Sequence, residues 1–340
     1  MRSKVRGMFR KTVSCLSICL VSTMTLSLTA CNGQVPKPSE PHASKEIPDV
    51  TLFKEKDIRL GILRNLEKAS ETRNISDLNR YLSGPALDIR ASELTVAAAT
   101  GNLDPKTTIP KAVAQSIVPV NSDWPRDVIT ITTTTKDQQS RRLLVIRQQR
   151  AKANYKLWAV ARLFPGVHLP KFAVPSIGSV MGKVDDKGLI MTPKDAVSAY
   201  ADVLQHGNNS KFAKNFDKDY LRSKLEELSK AVQEGLERNN GSQEQIFTPS
   251  ENQISSMRAS DGSELVVARI DSVWTRVAGS GRQSRPASDE EKALFGDSQA
   301  KGTIKVTYAN VIALVIPPAG SNMKIMPVGA ERQPIKVEAL

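Results

Sequence analysis

Residues 128–135 read VITITTTT, and this run decides the fold class. Its β-branched side chains alternate along the chain, which is typical of a β-strand. Two further runs, RLLVIRQQ at 142–149 and YKLWAVARL at 155–163, follow after short polar segments and also predict strands. Because parallel neighbours need a long crossover connection, three closely spaced strands predict an antiparallel meander.

Helical patterns precede these strands. Ile58, Ile62, Leu66 and Ala69 recur at the spacing of one helix face, and Asn74 ends the pattern. Helices followed by a meander predict an α+β fold, rather than the βαβ alternation of a nucleotide-binding sheet.

The second half of the chain repeats this order. Residues 192–195, TPKD, supply a capping threonine, a proline at the first helical position and an acid in the first turn, and they predict a helix that ends near His206-Gly207. A longer helix carries apolar residues from Leu221 to Leu236 on one face. The strands predicted after it are residues 264–277, 303–316, 323–328 and 335–337.

Internal similarity links the two halves. The segment NISDL at 74–78 resembles NNSKF at 208–212, an offset of 134 residues. The offset grows to 168 between YKLW at 155–158 and MKIM at 323–326, and the polar segment 279–302 is the predicted insertion. The pattern predicts two repeated units, each with helices followed by an antiparallel curved sheet. Such units resemble tandem nuclear-transport-factor-2-like or cystatin-like domains.

These features divide the chain into five segments. The two α+β domains are residues 50–165 and 191–340, and a linker rich in proline and glycine joins them at 166–190. A Pro-rich tether covers residues 31–49. Residues 1–30 have the basic start and the short apolar run of a signal peptide.

The end of that leader reads Leu28-Thr29-Ala30-Cys31 and resembles the lipobox of bacterial lipoproteins. The resemblance implies cleavage after Ala30 and a diacylglyceryl group on the Cys31 thiol, so the expected location is the extracytoplasmic face of the cell membrane. A thiolate is the reactive form of cysteine, and acyl chains contribute roughly 0.8 kcal/mol per buried methylene. Cys31 is the only cysteine after the leader, which excludes a disulfide framework and a cysteine-based zinc site.

The order of lipobox, Pro-rich tether, helices and repeated unit also resembles a group of actinobacterial surface lipoproteins of unassigned function. Residues 81–97 and Trp124-Pro125-Arg126 carry this resemblance. Neither stretch is a catalytic motif, so the resemblance implies a location and an architecture but no mechanism.

Motifs for catalysis or for metal binding do not occur in the sequence. The histidines, His42, His168 and His206, are far apart, and there is no HExxH, G-x-S-x-G or phosphate-binding loop. We therefore predict no catalytic residue, no metal site and no cofactor. The acidic pairs at 226–227 and 290–291 are expected on solvated faces, with no acid–base role.

Three aromatic residues leave two interpretations open. Tyr155, Trp158 and Tyr308 fit either ordinary core packing or the lining of a cavity in one α+β unit. A cavity of that kind would favour an enzyme or a ligand carrier.

Charge suggests one candidate surface. The formal net charge is +13, of which residues 1–30 contribute five and leave +8 for the rest. Aromatic residues are only 5%, which argues against a nucleic acid partner. Six basic residues concentrate on two neighbouring predicted strands: Arg141, Arg142, Arg147, Arg150, Lys152 and Lys156. They fit either a charged edge that prevents aggregation or a contact with anionic polymer or lipid headgroups.

These observations favour a lipid-anchored cell-envelope protein that presents two non-catalytic binding or scaffold domains outside the membrane, with an envelope protein or an anionic polymer as the partner. The alternative is an extracytoplasmic enzyme or small-ligand carrier that uses a cavity in one α+β unit. A third possibility is a chaperone that binds extended peptides at a sheet edge.

Overall fold

The structure is a computed structural model that describes residues 47–120, 123–134 and 140–340. The expected cleavage at Ala30, the lipid site at Cys31, most of the tether and His42 lie outside the described residues.

The first half contains two helices and four strands. Helix α1 spans Leu52–Thr72. Thr51 caps its N-terminus, where the threonine hydroxyl accepts a hydrogen bond from the Lys54 amide. Helix α2 spans Gly84–Thr100 and ends at Gly101 in the left-handed conformation. The strands are β1 Val113–Ile117, β2 Arg126–Thr132, β3 Arg142–Gln148 and β4 Lys156–Leu163. The three strands predicted here are confirmed, whereas β1 was not predicted.

The second half follows with three helices and four longer strands. Helix α3 spans Pro193–His206 with Thr192 as its cap, as predicted, and α4 spans Tyr220–Glu237. The remaining elements are β5 Ser242–Arg258, β6 Glu264–Val277, α5 Asp289–Phe295, β7 Thr303–Ile316 and β8 Met326–Ala339. The predicted bounds of β6 and β7 are confirmed, but the two short strands predicted after them form one strand, β8.

All eight strands form a single antiparallel sheet in the order β1-β2-β3-β4-β8-β7-β6-β5. The α+β class is confirmed, but the predicted arrangement of two units, each with its own sheet, is not shown. Each half contributes one four-stranded meander, and the last strands of the two meanders pair with each other.

The pairing of β4 with β8 is short. Its register covers only two residue pairs, Arg162 with Ala330 and Leu163 with Gly329. The backbones are closest at Gly329, where an added Cβ atom would lie 2.7 Å from the Arg162 carbonyl oxygen. Only glycine fits such a contact without moving the strands. Elsewhere along their lengths β4 and β8 have no pairing with each other.

Both faces of the sheet are buried. One face forms a cluster shared by the two halves, in which Ile131 and Leu143 of the first half join Leu265 and Val311 of the second. The helices cover the opposite face, because side chains alternate along a strand. Residues of α1 and α2 pack on β3 and β4, and residues of α3 and α4 pack on β6 and β7.

The segment between the halves is packed against the body. Phe172 is buried in the shared cluster, and Met181 packs against the same cluster. Residues from Lys45 to Leu340 form one compact unit. In the part of the chain that the structure describes, no helix combines the length and the apolar character that crossing a bilayer requires.

Candidate functional site

A cavity of about 330 Å³ lies beside the short β4–β8 pairing, and we call it the junction cavity. Glu93 of α2 and Arg162 of β4 line it from the first half. The second half supplies residues of α4, α5 and the three strands β6, β7 and β8. The cavity therefore depends on both halves of the chain, rather than lying in one α+β unit.

An ion pair joins the two meanders in the wall of this cavity. Arg162 donates a hydrogen bond from Nη2 to Glu331 Oε1 at 2.6 Å, and the Glu331 side chain is only 13% exposed. Burial raises the pKa of Glu331 to about 7, although the nearby Arg162 opposes this shift. Glu93 contributes further to the rise, because two carboxylates that lie close together resist a second negative charge.

Glu93 is held by a neighbour on its own helix. Arg90 donates a hydrogen bond from Nη1 to Glu93 Oε2 at 2.7 Å. Burial raises the pKa of the Glu93 carboxyl, and the charge of Arg90 lowers it in part. Two carboxyl groups with raised pKa values thus share this wall, which is a recurrent property of functional sites.

A second buried network of hydrogen bonds lies where α5, β6 and β7 line the junction cavity. Glu291 of α5 accepts hydrogen bonds from the Tyr308 hydroxyl at 3.0 Å and from the Ala287 amide at 2.7 Å, and it pairs with Arg276. Glu291 is 3% exposed, so the prediction of a solvated face for residues 290–291 is wrong at this position. The reason is that α5 lies in the segment predicted as a polar insertion and docks its first turn against β6 and β7. The pair at 226–227 is exposed, as predicted.

Arg332 of β8 also lines the cavity, and it makes no ion pair with any residue that the structure describes. Its guanidinium carbon lies 3.4 Å from the centroid of the Tyr308 ring. Its Nε and Nη2 atoms are buried and find no hydrogen-bond partner in the described ranges. Burial lowers the pKa of this guanidinium, because a charge without a partner is costly in a desolvated place.

The three aromatic candidates have different environments. Tyr308 lines the junction cavity. Trp158 is buried in the shared cluster, where Arg147 lies 4.0 Å from its ring centroid. Tyr155 packs near Val118 and Val128, and burial raises its pKa to about 12. The cavity interpretation thus fits Tyr308, and the core interpretation fits Trp158.

The six basic candidates do not form one surface. Arg142 and Arg147 are buried. They lie on opposite faces of β3, because side chains alternate along a strand and these two positions differ by five, an odd number. Arg147 pairs bidentately with Asp127, through Nε and Nη2 at 2.7 Å each. Arg142 donates to the Lys106 carbonyl oxygen at 2.7 Å. These two residues are therefore removed from the predicted anionic contact.

The other four members are more accessible. Arg141 and Lys156 are half-buried, and each donates to a backbone carbonyl, of Val167 and of Asn79 respectively. Arg150 and Lys152 are exposed, and both lie in the turn after β3 with Ala151 between them. Only this turn keeps the character of the predicted patch.

No group of three or more histidine, cysteine, aspartate or glutamate residues with a geometry for a metal ion occurs within residues 47–120, 123–134 and 140–340. His168 is exposed, and the exposed His206 lies 3.0 Å from Asp202 on the same helix.

Sequence reasoning missed the junction cavity, and one signal could have pointed to it. Strand β8 places Glu331, Arg332 and Gln333 consecutively in the middle of a strand. Charged residues on both faces of a strand are unusual where the sheet is covered on both sides. No local sequence pattern indicates that this stretch would lie near Glu93, which is 238 residues earlier in the chain.

Comparison with protein families gives one match, which covers residues 65–333 and is described as a domain of unknown function (DUF8094). The chain belongs to this family. The family region includes strands β1 to β7, the first part of β8 and most of the residues that line the junction cavity. Comparisons with curated proteins and with solved structures find no match.

Proposed function

We propose that this protein is a lipid-anchored component of the cell envelope whose body, outside the membrane, binds a small polar ligand in the junction cavity without transforming it. The observation that carries this proposal is the clustering of buried charge around one cavity of about 330 Å³. That volume lies at the lower end of the range of about 300–1,000 Å³ for small-molecule sites.

The arrangement of charge favours binding over catalysis. Glu331 and Glu291 are each held by an arginine, and Glu93 is held by Arg90. Side chains locked in this way provide fixed donors and acceptors at low entropic cost, which suits selective recognition.

One experiment tests ligand binding directly. The full chain is extracted from its native membranes in mild detergent, and small molecules released on denaturation are identified by mass spectrometry. We expect a small molecule in near-stoichiometric amount with the wild type and much less with a Trp274→Ala variant, which enlarges one wall of the cavity. An equally loaded Trp274→Ala protein, or a wild type free of any small molecule, would contradict the proposal.

An enzymatic role is the second candidate, and the pKa of Glu331 near 7 is the observation that favours it. A carboxyl group of this kind can both donate and accept a proton at neutral pH. If the wild type converts the co-purified molecule into a product and the Glu331→Gln variant does not, the protein is an enzyme and not a ligand carrier.

The membrane location rests on the lipobox resemblance at Ala30-Cys31. Fifteen residues lie between Cys31 and Ile47, where the described structure begins, and prolines among them favour an extended tether. Mass spectrometry of the native N-terminal peptide should give a diacylglyceryl-modified cysteine. A Cys31→Ser variant should leave the membrane fraction. An unmodified thiol, or retention of the variant, would contradict this location.

We also propose that the two halves are copies of one unit, related to the nuclear-transport-factor-2-like or cystatin-like units. Support comes from the order that they share, which is a helix, a 3₁₀ segment, a second helix and a four-stranded meander, although α5 interrupts the second meander between β6 and β7. In an experimental structure, residues 52–163 should superpose element by element on residues 193–339. Helices at different positions in the two halves would contradict the proposal that the halves are copies of one unit.

A further inference from the structure

Arg332 differs from the other arginines of the junction cavity, because its favourable electrostatic interactions are with the Tyr308 side chain and with the charge of Glu291, and not in an ion pair with a carboxylate of the described residues. Of the other two arginines that line the cavity, Arg162 pairs with Glu331 and Arg276 pairs with Glu291. The remaining cation of the lining, Lys106, is exposed at the rim. Within the described ranges, only Arg332 among the arginines of this cavity makes no ion pair with a carboxylate.

The buried edge of Arg332 has a defined geometry. Its Nε and Nη2 atoms, which find no partner in the described parts of the chain, form one side of the planar guanidinium. That side carries two parallel N–H donors, which match the two oxygens of a carboxylate. Because both atoms are buried, the guanidinium must shift to bring them to a ligand in the cavity.

The same protein contains this arrangement with its carboxylate in place. Arg147 lies 4.0 Å from the centroid of the Trp158 ring, and its Nε and Nη2 atoms both donate to Asp127 at 2.7 Å. Arg332 lies over the Tyr308 ring in the same way, and the same two nitrogens find no carboxylate in the described structure. The comparison indicates which group would complete the Arg332 site.

The rest of the wall is partly apolar. Leu228 and Val232 of α4 line the cavity together with Trp274 and Pro334 of the strands. Leu228 is 42% exposed, which is unusual for a leucine at the wall of a small cavity. A ligand that satisfies both parts of the wall has an anionic end and a compact apolar body.

We propose that the junction cavity binds a small organic acid, whose carboxylate accepts hydrogen bonds from Nε and Nη2 of Arg332 and whose apolar body contacts Trp274 and Val232. This inference rests on the proposed function, because it names the ligand class of the same site. The lowered pKa of Arg332 is consistent with it, since a bound anion would offset the cost of burying this charge.

The test uses the full chain in detergent, with benzoate as the probe and benzyl alcohol as a neutral probe of similar shape. Binding is measured by calorimetry and by the change in tryptophan fluorescence. We expect benzoate to bind at least tenfold more tightly than benzyl alcohol, and we expect Arg332→Gln to remove that preference. The matched control is Arg238→Gln, at an exposed position after α4, which should bind benzoate like the wild type.

Two further variants keep the test informative if Arg332→Gln does not fold. Arg332→Lys keeps the charge but loses the two-donor edge, and it should weaken benzoate binding at least threefold. Tyr308→Phe keeps the ring under Arg332 and should retain the preference for benzoate. Equal affinities for the two probes, no binding of benzoate, or a folded Arg332 variant with unchanged affinity would overturn the inference.

The proposed function can survive this failure. If a neutral or cationic molecule co-purifies with the wild type while benzoate does not bind, the cavity is a ligand site of another class. If nothing co-purifies and benzoate does not bind, both the ligand class and the binding function fail.

Discussion

Arg332 lies over Tyr308, with its guanidinium carbon 3.4 Å from the ring centroid, and both side chains line the junction cavity. The Tyr308 hydroxyl in turn donates a hydrogen bond to Glu291, so the ring cannot turn away without breaking a buried hydrogen bond. The ring therefore stays in place under the guanidinium, whose Nε and Nη2 atoms are buried and find no hydrogen-bond partner among the described residues.

The first prediction concerns the pair Asp127 and Arg147. The Asp127 side chain has no exposed surface, so Asp127→Asn leaves the Arg147 charge buried without a carboxylate. We expect a loss of about 3–5 kcal/mol in the free energy of unfolding. Urea denaturation measures it, with Glu227→Gln as the control, because solvent screens the exposed pair of Glu227 with Lys224 and its loss should change the stability little. Equal effects of the two variants would contradict the role given to burial.

The second prediction concerns pH and Glu264. Burial raises the pKa of this carboxyl to about 7 from 4.5, while Asp186 and Arg258 lie close by with opposing effects. Because the folded protein holds this proton more tightly than the unfolded chain, stability falls as the pH rises from about 4.5 to about 7, and this loss is complete above that range. Its size is on the order of 3 kcal/mol at most.

Glu264→Gln removes this titration and should make the free energy of unfolding less dependent on pH between 5 and 8. Glu331 shows the same direction, with a pKa of about 7, and would account for a remaining slope. Chemical denaturation at several pH values measures both. A variant as pH-dependent as the wild type would show that Glu264 ionises normally.

The third prediction uses two glycines with opposite expected effects. In Gly329→Ala the new methyl group would lie 2.7 Å from the Arg162 carbonyl oxygen, so the junction must open, at a cost of roughly 1–3 kcal/mol. Gly235 lies inside α4 with nothing within 4 Å of an added Cβ atom, so Gly235→Ala should stabilise by about 0.5–1 kcal/mol. Thermal unfolding compares the two. A Gly329→Ala protein at least as stable as the wild type would contradict the close contact at the junction.

The fourth prediction concerns Arg150 and Lys152, the exposed part of the basic cluster. A Cys31→Ser chain should bind vesicles that contain acidic lipid better than neutral vesicles, and less so as salt rises, because each basic residue near a membrane contributes about 1 kcal/mol. The double variant Arg150→Gln/Lys152→Gln should lose this gain. Lys214→Gln/Lys218→Gln, at exposed positions elsewhere, should keep it. No gain from acidic lipid in the unmutated turn would rule out the contact.

The parts of the fold with strong local patterns could be predicted from the sequence. The strands β6 and β7 have alternating or continuous apolar residues, and α3 has the threonine and proline that begin a helix. Strand β5 was missed because SQEQIFTPSENQISSMR is mostly polar. It lies at the edge of the sheet and is held by backbone pairing with β6, which leaves little trace in side-chain chemistry.

The junction cavity could not be predicted because its chemistry depends on pairing between distant segments. Arg162 and Glu331 are 169 residues apart, and they meet only because the two meanders join at β4 and β8. A local reading assigned Arg142 and Arg147 to one surface, since both are basic and close in sequence. In the structure they are buried on opposite faces of β3. No feature of this strand indicates that Asp127, on β2, would pair with Arg147.

The most direct test of the account is an experimental structure of the full chain with benzoate. It should place the benzoate carboxylate in the junction cavity, with its oxygens about 2.7–3.2 Å from Nε and Nη2 of Arg332. Benzoate bound elsewhere, or Arg332 paired with a carboxylate of the protein itself, would contradict the account.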